Sequence, residues 1–304
     1  MSISHYLKAI GRGARGARPL NREQAADLLT QVLDGHVSDL EVGAFCLAMR
    51  VKGETAEEMA GFLDAANRTF SWIAPSPKGR PTIVLPSYNG ARKLPVLTPL
   101  LALLLEQAGL RVIIHGVQRD PGRTTTSEVL EALGHCERTS VDDVEDDEIN
   151  FLPIEVISPK LHRLLEVRRV IGLRNSAHSV VKLMNPVMGD ALVVGSYTHS
   201  AFALLMSETF QMLNANALLI RGIEGEPVAD ARKVQEIEIF FSGERKLAQE
   251  AATSIISPGP DWPKDLSRDS IAAYITEVLN GKKPIPMPIA LQIQHIQNFV
   301  SRLS

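Results

Sequence analysis

Between Thr82 and Gly134 two short β-branched runs flank a segment that is apolar nearly all round. Thr82–Leu85 is halted by Pro86 and reads as a buried strand. Thr98–Ala108 has the length of a buried helix, and Gly109 supplies the left-handed stop that helix ends favour. Arg111–Ile114 is a second strand, so the piece is one βαβ unit in a parallel sheet. Such sheets take ligands past the carboxyl ends of their strands, where unpaired N–H groups face anions. Two polar segments fall there, Ser87–Lys93 (SYNGARK) and His115–Thr126 (HGVQRDPGRTTT). The ligand predicted by this placement is anionic.

The rest of the chain supplies a second, helical lobe. Asn21-Arg22-Glu23-Gln24, Ser38-Asp39-Leu40-Glu41 and Thr55-Ala56-Glu57-Glu58 carry the reciprocal N-terminal capping pattern of three helices. Gly35 and Gly53 end the first two. The lobe stops near Trp72, and Pro75, Pro77 and Pro81 mark a hinge-like linker. Leu152–Ser158 (LPIEVIS) reads as a strand, 159–185 as a basic helical segment that rejoins the helical lobe. Leu192–Val194 and Ala217–Arg221 are strands around a helix at Ala201–Leu213, and Leu266–Leu279 and Pro288–Leu303 are closing helices. The fold class expected is α/β. Residues 1–73 form a small helical domain rejoined by about 160–186, and 80–158 with 190–304 form a mostly parallel sheet domain.

Charge is segregated rather than large. The net charge of the 304 residues is −3, which does not favour a polyanion in bulk. Residues 1–22 nevertheless hold Lys8, Arg12, Arg15, Arg18 and Arg22 with no acid. Residues 160–182 hold Lys160, Arg163, Arg168, Arg169, Arg174 and Lys182 against Glu166 alone. Segregation of this kind steers a ligand more than the total does. The acids at 142–148 read as a solvated loop, since consecutive carboxylates do not converge on one ion. Gly11, Gly13 and Gly16 spell a dinucleotide fingerprint with no strand before it, so residues 1–20 read as a flexible basic segment or, through Arg12 and Arg15, a phosphate-contacting arm. Ser196, His199 and Ser200 have no readable acid partner for a hydrolytic triad. Cys46 and Cys136 lack disulfide or metal spacing, and no secretory or membrane-spanning segment is evident. A soluble cytoplasmic protein that meets no membrane and needs no metal or cofactor is expected.

Three stretches together resemble a known family. Residues 20–62 (LNREQAADLLTQVLDGHVSDLEVGAFCLAMRVKGETAEEMAGF) look like the helical domain of anthranilate phosphoribosyltransferases and related nucleoside phosphorylases. HGVQRDPGRTTTSEVLEALG looks like their phosphate loop, and GLRNSAHSVVKLMNP like their hinge region. The resemblance covers nearly the whole chain. It implies a cleft between a helical and a mostly parallel sheet domain, and a homodimer through the helical domain. Ser87, Gly90, His115, Gly116 and His178 then fall at the family's anion-binding positions.

The family's catalytic letters are replaced. Leu85-Pro86-Ser87-Tyr88-Asn89-Gly90-Ala91 stands where the enzymes carry a glycine-rich loop for the pyrophosphate of phosphoribosyl pyrophosphate. Their lysine before His-Gly is Ile114, and their magnesium-holding Asp-Glu pair falls on Pro227-Val228. Glu224, Glu226 and Asp230 are the acids near enough to substitute. PSYNGARK, HGV, GLRNSAH and EGE are shared with the YbiB group of bacterial transferase-like proteins. Membership implies a catalytically silent transferase fold that binds single-stranded DNA or RNA without sequence preference. Asn89, Arg92, Lys93, Arg119, Arg123, Arg168, Arg169, Arg174 and Lys182 are the candidate contacts, with Tyr88 as a stacking platform. The alternatives are an active transferase using phosphoribosyl pyrophosphate and magnesium on an aromatic or nucleobase-like substrate, or a phosphoanion sensor or scaffold.

Overall fold

A computed structural model describes residues 2–13, 15–257 and 259–302. The chain starts with four helices, α1 (Ser4–Ile10), α2 (Arg22–Leu33), α3 (Asp39–Lys52) and α4 (Ala56–Asn67). The three expected capping boxes are all formed, at Asn21, Ser38 and Thr55. Each cap is worth about 1 kcal/mol. Glu58 does more than cap α4, since it is fully buried and also takes Lys52 Nζ at 2.6 Å and the Leu20 amide at 2.9 Å. The N-terminal segment departs from the flexible reading. Ile3 and Ile10 are buried, which pins α1 to the bundle.

The sheet domain follows with β1 (Thr82–Ser87), α5 (Thr98–Gln107), β2 (Arg111–Gly116), α6 (Thr126–Ala132) and β3 (Asn150–Pro153). Next come α7 (Ile154–Ile157), α8 (Pro159–Ile171), α9 (Ala177–Val180), β4 (Ala191–Tyr197), α10 (Ser200–Met212) and β5 (Ala217–Arg221). The chain closes with β6 (Ile237–Phe241), β7 (Glu244–Gln249), α11 (Arg268–Leu279) and α12 (Met287–Val300). Residue 303, within the last expected helix, lies outside the described residues. Among the described residues the strands form one sheet in the order β3-β2-β1-β4-β5-β6-β7, with β1 to β5 parallel. Val84, Ile113 and Val193 face the helical bundle and α10. Their neighbours Ile83, Val112 and Leu192 face α5, α11 and α12. Each parallel strand is therefore buried on both faces, and its sequence is apolar throughout rather than alternating.

Two local expectations are corrected, and a hairpin joins the sheet that no sequence signal announces. β1 runs through Pro86, because β4 pairs only as far as Val84 and the missing N–H falls where β2 alone remains alongside. LPIEVIS is not one strand, since β3 ends at Pro153 and residues 154–157 turn helically into α8. The β6–β7 hairpin went unread because β7 is a polar, exposed edge, and its turn uses left-handed Ser242 and Gly243.

The acidic run is not simply solvated either. Asp146 is buried and pairs with Arg111 Nε at 3.0 Å, both side chains 2% exposed. It also accepts from Ser76 Oγ at 2.6 Å and Lys78 N at 3.1 Å, while Arg111 donates to the Ala74 carbonyl at 2.8 Å. Asp147 holds Lys78 and Arg80. The proline linker is stapled to the sheet and is no hinge. Removing one partner of a buried pair leaves the other charge unneutralised, so D146A should lose about 3–5 kcal/mol in urea denaturation. D142A, at an exposed site, should stay within about 0.5 kcal/mol of wild type.

Candidate anion-binding cleft

In the strand order, β1 leads to β2 and β3 on one side while β4 leads to β5 on the other. The crevice between the ends of β1 and β4 is therefore the switch point where sheets of this type bind ligands. Gly116 lets β2 close on β1, because a Cβ there would stand 2.0 Å from the Ser87 carbonyl oxygen. Gly90 turns the loop after β1 at φ +66°, with a Cβ position 2.6 Å from the Thr124 carbonyl. The Ala91 amide donates to that same Thr124 carbonyl at 2.7 Å. The two strand-end loops are thereby sewn together.

Asn89 is the hub of the crevice. Its Nδ2 donates to the Glu224 carbonyl at 2.7 Å, and its Oδ1 accepts from Arg174 Nη2 at 2.8 Å. Its carbonyl accepts from Arg123 Nη1 at 3.0 Å, and its amide donates to Glu226 Oε1 at 2.7 Å. Glu226 is fully buried. Its Oε1 also accepts from the Gly90 amide at 2.9 Å, and its Oε2 from Thr98 Oγ1 at 2.9 Å and from Ser87 Oγ. Every one of these partners presents a donor to the carboxylate.

Cations outnumber acids at this hub, where Glu226 and Asp120 are the carboxylates that favour their charge. Burial first, then repulsion from Arg168 and Arg123, lowers Arg174 to about 10. Burial likewise brings Lys182 down to about 8, where Glu226 favours its charge and Arg174 and Arg123 oppose it. His178 falls to about 3 through burial and the charges of Arg174 and Arg168, so it is neutral. Cations held together against their own repulsion mark a site that an added anion relieves.

Three recesses adjoin the hub. A cavity of about 350 Å³ lies between the bundle and the end of β4, lined by Met49, Arg174, His178, Lys182, Ser196 and Phe202 among others. Two shallower ones of about 650 and 630 Å³ flank the 119–123 loop and share Arg92, Arg119, Arg123 and Arg169. Arg92, Arg119 and Arg123 of the strand-end loops thus adjoin Arg168, Arg169, Arg174 and Lys182, while Lys160 and Arg163 turn away to Asp34 and the Leu33 carbonyl.

Residues 4–69 match the glycosyl transferase family, helical bundle domain. Over 303 residues the chain is 36% identical to the uncharacterized protein YbiB of Escherichia coli (strain K12), covering 96% of this chain and 92% of that one. The chain belongs to the YbiB family. It is also 25% identical, over 93% of its length and 85% of the relative's, to the anthranilate phosphoribosyltransferase of Methanopyrus kandleri. The fold matches the crystal structure of anthranilate phosphoribosyltransferase from Thermus thermophilus with a TM-score of 0.72 at 22% identity, covering 93% and 85% of the two chains. It matches the Saccharomyces cerevisiae enzyme in complex with PRPP and Mg at 0.67, 14% identical over 94% and 85%. The fold of this YbiB-family chain is anthranilate phosphoribosyltransferase-like.

The candidate residues are redistributed by the structure. Arg92, Arg123, Arg174 and Lys182 reach the cleft, and among the described residues no acid forms an ion pair with them. Arg119, Arg168 and Arg169 line it but are engaged by Glu131, Asp120 and Glu166. Arg12, Arg15 and Lys93 are exposed and line none of the three recesses. Tyr88 is no platform: it is 6% exposed, and its hydroxyl pairs with His115 Nδ1 at 2.7 Å. His115 is buried, lowered to about 3 by desolvation, and offers no charge to an anion. Asn89 and Ser87 are buried and engaged, so they build the site rather than face a ligand. The residues of the site do not fit a magnesium-diphosphate complex. Glu226 already takes the loop's donors and Asp230 is paired with Arg232 at 2.6 Å, which leaves half-buried Glu224 without a second free carboxylate among the three candidate acids.

The role of Glu226 had no signal in the sequence, where it is one acid among three. Lys182 gives a direct test. Its ammonium is disfavoured in the fold, so between about 8 and the ordinary 10.5 the unfolded chain binds the extra proton. Stability from this group therefore rises with pH across that window. K182M should flatten that rise relative to wild type, read from urea midpoints on either side of it.

Proposed function

We propose that this chain holds single-stranded DNA or RNA in the cleft, without sequence preference and without transferring a sugar. The observation that carries the reading is the meeting of Arg92, Arg123, Arg174 and Lys182 at the switch point with no acid paired to them among the described residues. Phosphates of a strand supply the missing charge, and a backbone-tracking groove needs no base readout. With Tyr88 withdrawn, half-buried Phe202 in the wall of the deep recess is the ring on which a base can rest. An aromatic platform of this kind contributes roughly 1–3 kcal/mol per base. Against turnover stands the carboxylate of Glu226, which occupies the loop donors that a diphosphate requires.

The site of action is the cytoplasm, in keeping with two free cysteines, Cys46 and Cys136. No described helix is long and apolar enough to cross a membrane. The assembly is a homodimer through the helical domain. Leu40, Leu47 and Val51 are 83%, 52% and 60% exposed at helical spacing along α3, an apolar stripe that a second copy would cover.

Labelled oligo-dT and a duplex of equal length, titrated at two salt concentrations, test the binding. The single strand should bind tighter, and R92A and K182A should each flatten its log–log salt slope by about 0.7. Equal slopes for variants and wild type would remove those residues from the interface. Product formed from phosphoribosyl pyrophosphate, magnesium and anthranilate would replace this reading by a transferase. L47E should halve the sedimenting mass if α3 is the dimer contact, and an unchanged mass would place the contact elsewhere.

A further inference from the structure

The misfit between the cleft and a diphosphate traces to one side chain. Glu226 presents two oxygens to two backbone amides, Asn89 and Gly90, and two hydroxyls, Ser87 and Thr98. This is the donor set a phosphate group would meet at a strand-end loop followed by a helix. The carboxylate stands in for that group.

The turn that delivers it is locked from three sides. The Ile223 amide donates to the Val228 carbonyl at 2.9 Å, closing the turn behind Glu226. Gly222 has no room for a side chain, since a Cβ would lie 1.7 Å from the Glu226 carbonyl oxygen. Gln292 of α12, fully buried, donates to the Pro227 carbonyl at 3.0 Å and accepts from the Ala229 amide at 2.8 Å. Ser196 Oγ and Lys182 Nζ both donate to the Gly225 carbonyl at 2.8 Å. These contacts fix the backbone from which the carboxylate reaches its four donors.

We infer that Glu226 is the selectivity residue of the cleft: a built-in anion that closes the strand-end cradle to phosphate and diphosphate groups of small ligands. Phosphates are then left the cations around the cradle, Arg174 and Lys182 in the deep recess and Arg92 and Arg123 in the one beside it. A monophosphate meets one or two of them, whereas a polymer meets several at once. That last step rests on the nucleic-acid reading above, but the closing of the cradle does not.

Inorganic pyrophosphate is the probe, titrated into wild type, E226A and E226Q while the thermal midpoint is followed at constant ionic strength. E226A empties the cradle and should bind pyrophosphate roughly tenfold tighter than wild type, because charge-assisted bonds to the freed donors are gained. Its midpoint should rise by roughly 2–4 °C once pyrophosphate is about tenfold over its dissociation constant. E226Q keeps the cradle filled and should respond like wild type. If E226A does not yield folded protein, E226S carries the same criterion, its hydroxyl reaching none of the space the acid fills. Equal affinity of wild type and the emptied variant overturns the inference. Oligo-dT plays no part in this titration, so either conclusion can fail while the other stands.

Discussion

The cleft depends on a carboxylate buried where the sheet changes direction. Glu226 satisfies the loop donors after β1, and through Asn89 the same knot fixes Arg123 and Arg174. A buried acid without partners would be expensive, but here each oxygen takes two donors, and Lys182 and Arg174 add favourable charge. Its removal would leave the four donors facing a void and the cations facing one another. The shape of the basic site is therefore set by a single negative group.

That arrangement lies on loops at the strand ends and leaves the transferase-like architecture of the fold untouched. The fold built from the helical bundle and the seven-stranded sheet matches that of an anthranilate phosphoribosyltransferase structure. None of those features requires a diphosphate to be bound, because the packing faces of the sheet lie away from the strand ends. What a loop at the carboxyl end does is decided by a few side chains. Here Tyr88 turns inward against a neutral His115, and Glu226 completes the closure.

Much of the fold was legible because its signals are local. Capping letters at Asn21, Ser38 and Thr55 formed the boxes they spelled, and the apolar runs from Thr82, Arg111 and Ala217 became parallel strands. Strand β7 was not legible, since an exposed edge carries no apolar period. The site was legible as a place but only partly as a set of residues. Arg174 and Lys182 lie far from Ser87–Lys93 in sequence, yet charge segregation located them. The inward turn of Tyr88, the burial of Asp146 and the embedding of Glu226 each depend on a partner on a distant element, namely His115, Arg111 and the β1 loop. No spacing rule reports such pairs.

The staple between Arg111 and Asp146 reaches further than local stability. It holds the segment from Ala74 to Arg80, the first crossing between the two domains, against the edge of β2. The third crossing, at 186–188, is held as well, by the Ile73 amide on the Pro186 carbonyl at 3.0 Å and the Met188 amide on the Ile73 carbonyl at 2.9 Å. Two of the three connections between the domains are thus bonded in place, and a change in groove width would have to break those bonds. On the binding proposed above, a guest would be retained according to how many of the cleft's cations it spans.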